Sequence, residues 1–573
     1  MKFGLSQYTL DQFFDKVVEK YASNPSLALI GETPFTYAEF GIRVSTLRDQ
    51  LKNIGIVKGD KIVLLGPSSP NWAVAFMAVT TMGAIAVPIL EGFPESDINH
   101  IIRHSEASMV IISENLYKSL NLPSLNNIGF ILKFEDFKPI SELGKGIDKI
   151  RKQIQELPEK ILKSREKSPP DRKPVEIVEN DLAEILYTSG TTGHSKGVML
   201  THKNLVSNLF EGPDLLKVIN GKSVILSILP LAHAFGSTSA FLSIIYCGAS
   251  IYYLNKPPAP KVLMDALQEV KPTILGAVPL VFEKIYHKRV IPILSEKPLL
   301  RMFTKTKQTR KLLYKLIGKK IKKQLGGRLD CVIIGGASFS PEVETFMHEG
   351  RIPYCCGYGL SECSPLVTFS SMELQKAGSP GHAISDVQIK IADSDPESGI
   401  GEICVKGPNV MKGYYKDTEA TKKVFTKDGW FITGDLGYLD KDGYLFITGR
   451  SKNVIVGPSG ENIYPEVIEA KLSESVFVEE CIVHMLDNQL IARVYPNYEY
   501  IETTENSKDE SKIAADIETI LENVRKDTNT KLPAYSKIIK IIEQPSPFVK
   551  TPTNKIKRAE YIPGYLKNES RDY

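Results

Sequence analysis

The densest chemistry in the chain lies in Tyr187-Thr188-Ser189-Gly190-Thr191-Thr192-Gly193-His194-Ser195-Lys196-Gly197. Small residues let successive backbone N–H groups converge on an anion, hydroxyls add donors, and Lys196 adds a cation. Phosphate is the natural guest of such a loop. It is not a Walker loop: counted from Gly190, that pattern needs glycine at 195 and a hydroxyl residue at 197, where Ser195 and Gly197 stand. Other groups with chemical capacity follow along the chain. They are His233 in the uncharged stretch Leu229–Gly236, the loop Gly335-Gly336-Ala337, and Gly357-Tyr358-Gly359-Leu360-Ser361-Glu362. The last fails as a dinucleotide GxGxxG because it ends on Glu362. Beyond these stand Asp435 after Trp430–Gly434, Arg450 and Lys452, and three lysines at 550, 555 and 557. Alone, such a histidine is a core residue about as often as a ligand, the aspartate a turn residue and the arginine a surface charge. Their order carries the weight.

In that order the segments resemble the acyl- and aryl-CoA synthetases, adenylation domains and luciferases that form acyl adenylates, over nearly the full chain. The resemblance implies a role for each. Thr188, Ser189, Gly190, Thr191, Thr192, Gly193 and Lys196 would form the phosphate loop, with Lys196 on the departing phosphates. His233 would border the carboxylate pocket, and Gly335, Gly336 and Ala337 the adenine. Within Gly357, Tyr358, Gly359 and Ser361, Tyr358 would stack on the base; Glu362, with Thr188, would hold Mg²⁺. Asp435 would accept hydrogen bonds from the ribose hydroxyls, Arg450 would lie near ribose and phosphate, and Lys452 would be the pivot. Ser459, Gly460, Glu461 and Asn462 would line the thiol tunnel, and Lys555 would bridge carboxylate and α-phosphate. The chain departs from the family pattern at Ser195 (usually proline), Ser361 (threonine) and Asn554 (glycine).

These groups need a scaffold, and the apolar runs supply one. Lys61–Leu65, Met109–Ile112, Ile185–Tyr187, Val224–Ile228, Thr273–Ala277 and Cys331–Ile334 read as strands alternating with helical patterns, as in βαβ units. A helix is expected near Thr201, its N-cap. From Gly378 to Phe446 short strands and turn signals predict a small β-rich subdomain. Asn497 to Lys512 reads as a polar surface loop. The expected fold is α/β: a large N-terminal domain of parallel-type sheets with that subdomain, then a smaller, mobile α+β domain. The boundaries expected are 1–450, a hinge at 451–454, and 455–573.

Composition agrees with a soluble multidomain protein: 573 residues, 42% apolar and 24% charged, which excludes disordered and collagen-like classes. Seven cysteines without paired CxxC spacing read as reduced core thiols of a cytosolic protein. The opening residues carry Asp11, Asp15 and Glu19, with Phe13, Phe14, Val17, Val18 and Tyr21 on one helix face, which is not a signal peptide. The uncharged runs Ile62–Leu90 and Ser223–Asn255 are interrupted by glycine and proline and read as buried strand, helix and strand.

The net charge of +4 conceals an asymmetry. Lys284 to Arg328 holds fifteen Lys or Arg against Glu296, a local +14 that leaves the remainder near −10. Leu312, Leu313, Leu316, Ile317 and Ile321 among lysines read as a basic amphipathic helix, which fits an anionic membrane or an acidic partner as well as a solvated helix packed on the large domain. Few aromatics interleave it, so nucleic acid is not expected.

The implied activity is ATP- and Mg²⁺-dependent activation of a carboxylic acid, with release of pyrophosphate and transfer to coenzyme A. Amino-acid-activating relatives usually place an aspartate shortly after the His233 position; 233–241 here has no acid, so the resemblance implies a carboxylic acid without an α-amino group. The basic insertion and the length most resemble long-chain fatty acyl-CoA synthetases, which implies a fatty acid substrate. An acyl carrier protein as acceptor, a shorter or aryl acid, and a silent nucleotide-binding scaffold are the alternatives. No carrier-domain serine motif follows, so a stand-alone enzyme is expected. Its oligomeric state is left open. The location expected is the cytoplasm, with peripheral contact at the inner face of the membrane through 284–328.

Overall fold

The structure is a computed structural model that describes residues 2–122, 125, 128–140, 176–188, 195–256, 259–296, 306–457, 461–487, 489–505, 510–551 and 555–562. Two sheets dominate it. In the first, Leu182–Thr188, Ile85–Ile89, Lys61–Leu65, Met109–Ile112 and Phe130–Lys133 run parallel, with Lys196–Thr201 and Gly413–Tyr414 added antiparallel at one edge. In the second, Tyr354–Gly359, Cys331–Ile334, Ile274–Ala277, Val224–Ser227, Ser250–Tyr253 and Pro25–Leu29 run parallel between antiparallel edges.

Both long uncharged runs fold as strand, helix and strand. Helix Pro70–Thr80, capped by Ser69, is buried nearly all round because it lies against the paired strands Lys61–Leu65 and Ile85–Ile89 on one side and is covered by helices Tyr37–Asn53 and Leu10–Tyr21 on the other. Among the described residues no helix is long and apolar enough to cross a membrane. Helix Leu10–Tyr21 turns Leu10, Phe13, Phe14 and Val17 fully inward. All seven cysteines are buried free thiols.

The expected β-rich unit is an antiparallel four-stranded sheet of Gln388–Ala392, Gly401–Lys406, Phe431–Leu439 and Leu445–Arg450. After it, Val478–Leu486 pairs with Gln489–Pro496, and Lys540–Glu543 completes a three-stranded sheet covered by helices Pro465–Leu472 and Glu510–Thr530. This part has its own apolar cluster, which includes Ile468, Leu472, Val483, Ile517 and Leu521. 

The helix expected near Thr201 is present: it starts at His202 with Thr201 as its N-cap in a Thr201–Asn204 capping box, after the strand Lys196–Thr201. Two expectations need correction. Part of 497–512 is helical: Tyr498–Glu505 follows Asn497, whose side chain accepts from the Tyr500 N–H, and is anchored by buried Ile501; the next helix begins at Glu510, and 506–509 lie outside the described residues. The basic helix is Lys307–Gln324, and its inward face is Tyr314, Ile317, Gly318 and Ile321, with Leu313 beside it. Leu312 and Leu316, expected in the apolar face, are 61% and 63% exposed. Gly318 sets this orientation: a Cβ there would lie 2.2 Å from the carbonyl oxygen of Gly350, so the helix can approach its neighbour only along this line.

Candidate active site

Several loops meet at the carboxyl ends of the parallel strands, where α/β sheets place their ligands. From Val224–Ser227 the chain passes Pro230 to His233 and enters a π-helical stretch, Phe235–Leu242. Gly236 permits this tight entry, since a Cβ would sit 1.9 Å from the Pro230 carbonyl oxygen. His233 Nδ1 accepts from the Phe235 N–H at 3.2 Å, which leaves the ring proton on Nε2. Burial, aided by the charge of Lys555, lowers the His233 pKa to about 4, so the ring is neutral near pH 7.

Gly335, Gly336 and Ala337 follow Cys331–Ile334, and Gly335 lies in contact range of the Phe235 ring and the Gly357 carbonyl. Gly357, Tyr358 and Gly359 end the neighbouring parallel strand; Ser361 and Glu362 form the 3-10 turn Ser361–Cys363. Tyr358 donates its hydroxyl to Asp435 Oδ2 at 2.7 Å, and Arg450 Nε meets Asp435 Oδ1 at 2.6 Å. Asp435 and Arg450 are direct cross-strand partners, so the antiparallel register itself presents both side chains to one face. Asp435 is buried, yet each carboxylate oxygen retains a lone pair for a further donor.

Thr188 and Lys196 are likewise cross-strand partners, at the two feet of the glycine loop. Ser189, Gly190, Thr191, Thr192 and Gly193 lie outside the described residues. Lys196 Nζ sits 5.2 Å above the Tyr414 ring, whose hydroxyl donates to Glu362 Oε1 at 3.0 Å. Tyr414 is a contributor that residue types did not reveal; it is placed by the pairing of the short strand Gly413–Tyr414 with Lys196–Thr201, which has no local signature. Strand Lys196–Thr201 packs on the turn bearing Glu362. The donors there, a carboxylate and the nearby Thr188 hydroxyl, are hard oxygens. They suit Mg²⁺, which takes one or two carboxylates and completes its shell with phosphate and water. Among the described residues no cluster of three or more His, Cys, Asp or Glu could hold a metal, so an all-protein cage is not what these residues offer.

Lys555 reaches this cluster from the far end of the chain. The residue as a whole is exposed, yet its ammonium end is crowded enough that burial first and then Arg450 lower its pKa, while Asp435 and Glu362 pull it back upward. Lys550 pairs instead with Glu480, and Lys557 stands 3.9 Å from Glu560. Lys452 is in the turn Ser451–Asn453 directly after Arg450. Asn462 lies on the short strand Asn462–Ile463, preceded by Glu461; neither has a hydrogen bond or ion pair to the cluster among the described residues. Ser459 and Gly460 lie outside the described residues, as does Asn554.

The model of the family described as "AMP-binding enzyme" matches residues 14–415. Fatty acyl-CoA synthetase A of Dictyostelium discoideum is 30% identical over 82% of this chain and 73% of its own length. Long chain acyl-CoA synthetase 4 of Arabidopsis thaliana is 30% identical over 96% of this chain and 90% of its own. Among solved structures, the anthranilate CoA ligase AuaEII in complex with anthranoyl-AMP superposes with a TM-score of 0.74, at 19% identity and 98% coverage of both chains. ATP-bound MatB from Rhodopseudomonas palustris gives 0.73, at 21% identity over 96% of this chain and 98% of its own. At these identities the solved structures establish a shared fold.

Proposed function

The chain belongs to the AMP-binding enzyme family, and from that premise we propose that it is a fatty acid–CoA ligase working through an acyl adenylate. The observation that supports this reading is the hydrogen-bonded group Tyr358, Asp435 and Arg450, together with the contacts of Tyr414 with Glu362 and Lys196; the charges of Lys555, Arg450, Asp435 and Glu362 act on one another there. In the first half-reaction a carboxylate oxygen attacks the α-phosphorus of ATP, and the bond to pyrophosphate breaks. Two anions must be aligned and the charge between them neutralised. Lys555 serves the bridging region; a cation whose charged form is disfavoured beforehand gains from an arriving polyanion. His233, neutral, offers its Nε2 proton to the carboxylate. Lys196 and the glycine loop hold the departing phosphates, and Tyr358, Asp435 and Arg450 hold the nucleoside. Mg²⁺, when bound by Glu362 with Thr188, offsets phosphate charge.

The thiol of coenzyme A then attacks the acyl carbon and AMP leaves. We assign 451–454 as the hinge about which 455–573 turns between the half-reactions, with Glu461 and Asn462 on the thiol side. A few residues at the end of an element are enough for such motion. Pyrophosphate release should depend on added carboxylate and rise along a series from acetate to stearate, with CoA preferred to acyl carrier protein. Release independent of carboxylate would overturn the ligase, and a preference for short or aryl acids would overturn the chain-length reading.

Membrane contact is a finer proposal. The outward face of Lys307–Gln324 combines exposed Leu312 and Leu316 with exposed Lys311, Lys315, Lys319 and Lys320. Other basic residues of the segment have partners in the fold: Arg310 with Glu349, Lys284 with Glu479, Lys288 with Glu499. Each lysine near an anionic surface contributes about 1 kcal/mol. Lys315→Ala with Lys319→Ala should therefore weaken sedimentation with phosphatidylserine vesicles by roughly tenfold or more, and leave solution activity intact. Equal binding to neutral vesicles would count against the surface.

A further inference from the structure

Lys555 lies on the second of two antiparallel arms, 549–551 and 555–557, and this pairing has two carboxylate anchors. Its arms are joined by Thr551 N–H to Lys555 carbonyl (2.8 Å), Lys557 N–H to Val549 carbonyl (2.9 Å), and the antiparallel bridge Lys550–Ile556. The first arm is tied by Lys550 to Glu480 on strand Val478–Leu486. The second ends at Arg558, whose Nη2 lies 2.5 Å from Glu469 Oε2 and 3.9 Å from Glu466 Oε1 on helix Pro465–Leu472. Arg558 and Glu469 side chains are each only 14% exposed. The other oxygen of Glu469 accepts from the Val483 N–H at 2.7 Å, so this carboxylate is fixed from two directions. Glu466 Oε1 in turn takes a hydrogen bond from Asn453, in the same turn as Lys452.

We propose that Arg558 and Glu469 are positioning residues for Lys555, and that Glu466 links that clamp to the hinge. They reach no substrate themselves. A lysine side chain has four rotatable bonds, and its aim depends on the backbone beneath it; a reacting group misplaced by 1 Å can cost about 10²-fold. Only the half-reaction that uses Lys555 should feel this loss. The inference rests on the assignment of Lys555 proposed above.

The test measures both half-reactions in the full-length protein: carboxylate-dependent pyrophosphate release, and transfer from synthetic acyl-AMP to CoA. Arg558→Gln and Glu469→Gln should each slow pyrophosphate release by about 10- to 100-fold, with transfer within about threefold of the parent. Arg558→Lys, which keeps the charge but loses the fork, should fall between. Preserved transfer certifies folding; if the glutamine variants do not fold, Arg558→Lys carries the same comparison. Pyrophosphate release within about twofold of the parent, or equal loss of both steps, overturns the clamp. Lys555→Ala, run alongside, separates the two proposals. If it too spares the first step, the Lys555 assignment fails; if it alone abolishes that step, only the clamp fails.

Discussion

Lys555→Ala is expected to lower acyl-AMP formation by about 10³-fold or more while leaving transfer from preformed acyl-AMP to CoA near the parent rate. A factor of 10³ corresponds to about 4 kcal/mol of barrier, within reach of one cation aimed at developing charge. The asymmetry follows from chemistry. In the first step two anions approach each other, and the proposal places the cation of Lys555, whose charge interacts with Arg450, Asp435 and Glu362, between them. In the second, a thiol meets an acyl carbon that already has a good leaving group. Lys550→Ala should have a smaller effect, because Lys550 is paired with Glu480 and acts through the backbone. Rapid-quench measurement of acyl-AMP and single-turnover transfer give the two rates; equal loss in both removes Lys555 from the role proposed.

How much of this was legible in the sequence depends on the range over which each feature is decided. Cys331–Ile334, Lys61–Leu65 and Met109–Ile112 are apolar runs bounded by turns, and each folds as the strand it resembles. His233, Glu362, Asp435 and Arg450 were legible as candidates because each sits in a short segment with a distinctive composition. The orientation of Lys307–Gln324 was not, because leucines occur on two of its faces and the choice lies in the fit of Gly318 against Gly350. The role of Tyr414 beside Glu362 depends on an edge pairing between strands far apart in the chain. The Arg558–Glu469 pair spans 89 residues and has no local signature. What local pattern dictates was visible, and what tertiary packing selects was not.

Glu184→Met should stabilise the large domain, and by more at pH 8 than at pH 5. Glu184 lies on Leu182–Thr188, between Ala86 of one neighbouring strand and Leu200 of the other, and is fully buried. Neither carboxyl oxygen has a hydrogen-bond partner among the described residues, and burial raises its pKa from 4.5 to about 8. The folded state therefore keeps a proton that the unfolded chain releases above its ordinary value. Stability is highest below pH 4.5 and falls as pH rises toward 8, where the buried group must finally ionise. At pH 7 this loss is about 3 kcal/mol relative to acid conditions, an order-of-magnitude figure. Methionine has a similar unbranched shape, removes the titration and leaves no polar atom unpaired. Glu184→Gln removes the titration but keeps an unpaired amide. It should match the parent at pH 5 and exceed it at pH 8. Thermal midpoints of the three proteins at both values decide the matter. A gap between parent and Gln variant that is the same at both pH values would show that Glu184 does not titrate in this window. A strand that ends at Thr188 would then carry its buried acid at no pH-dependent cost.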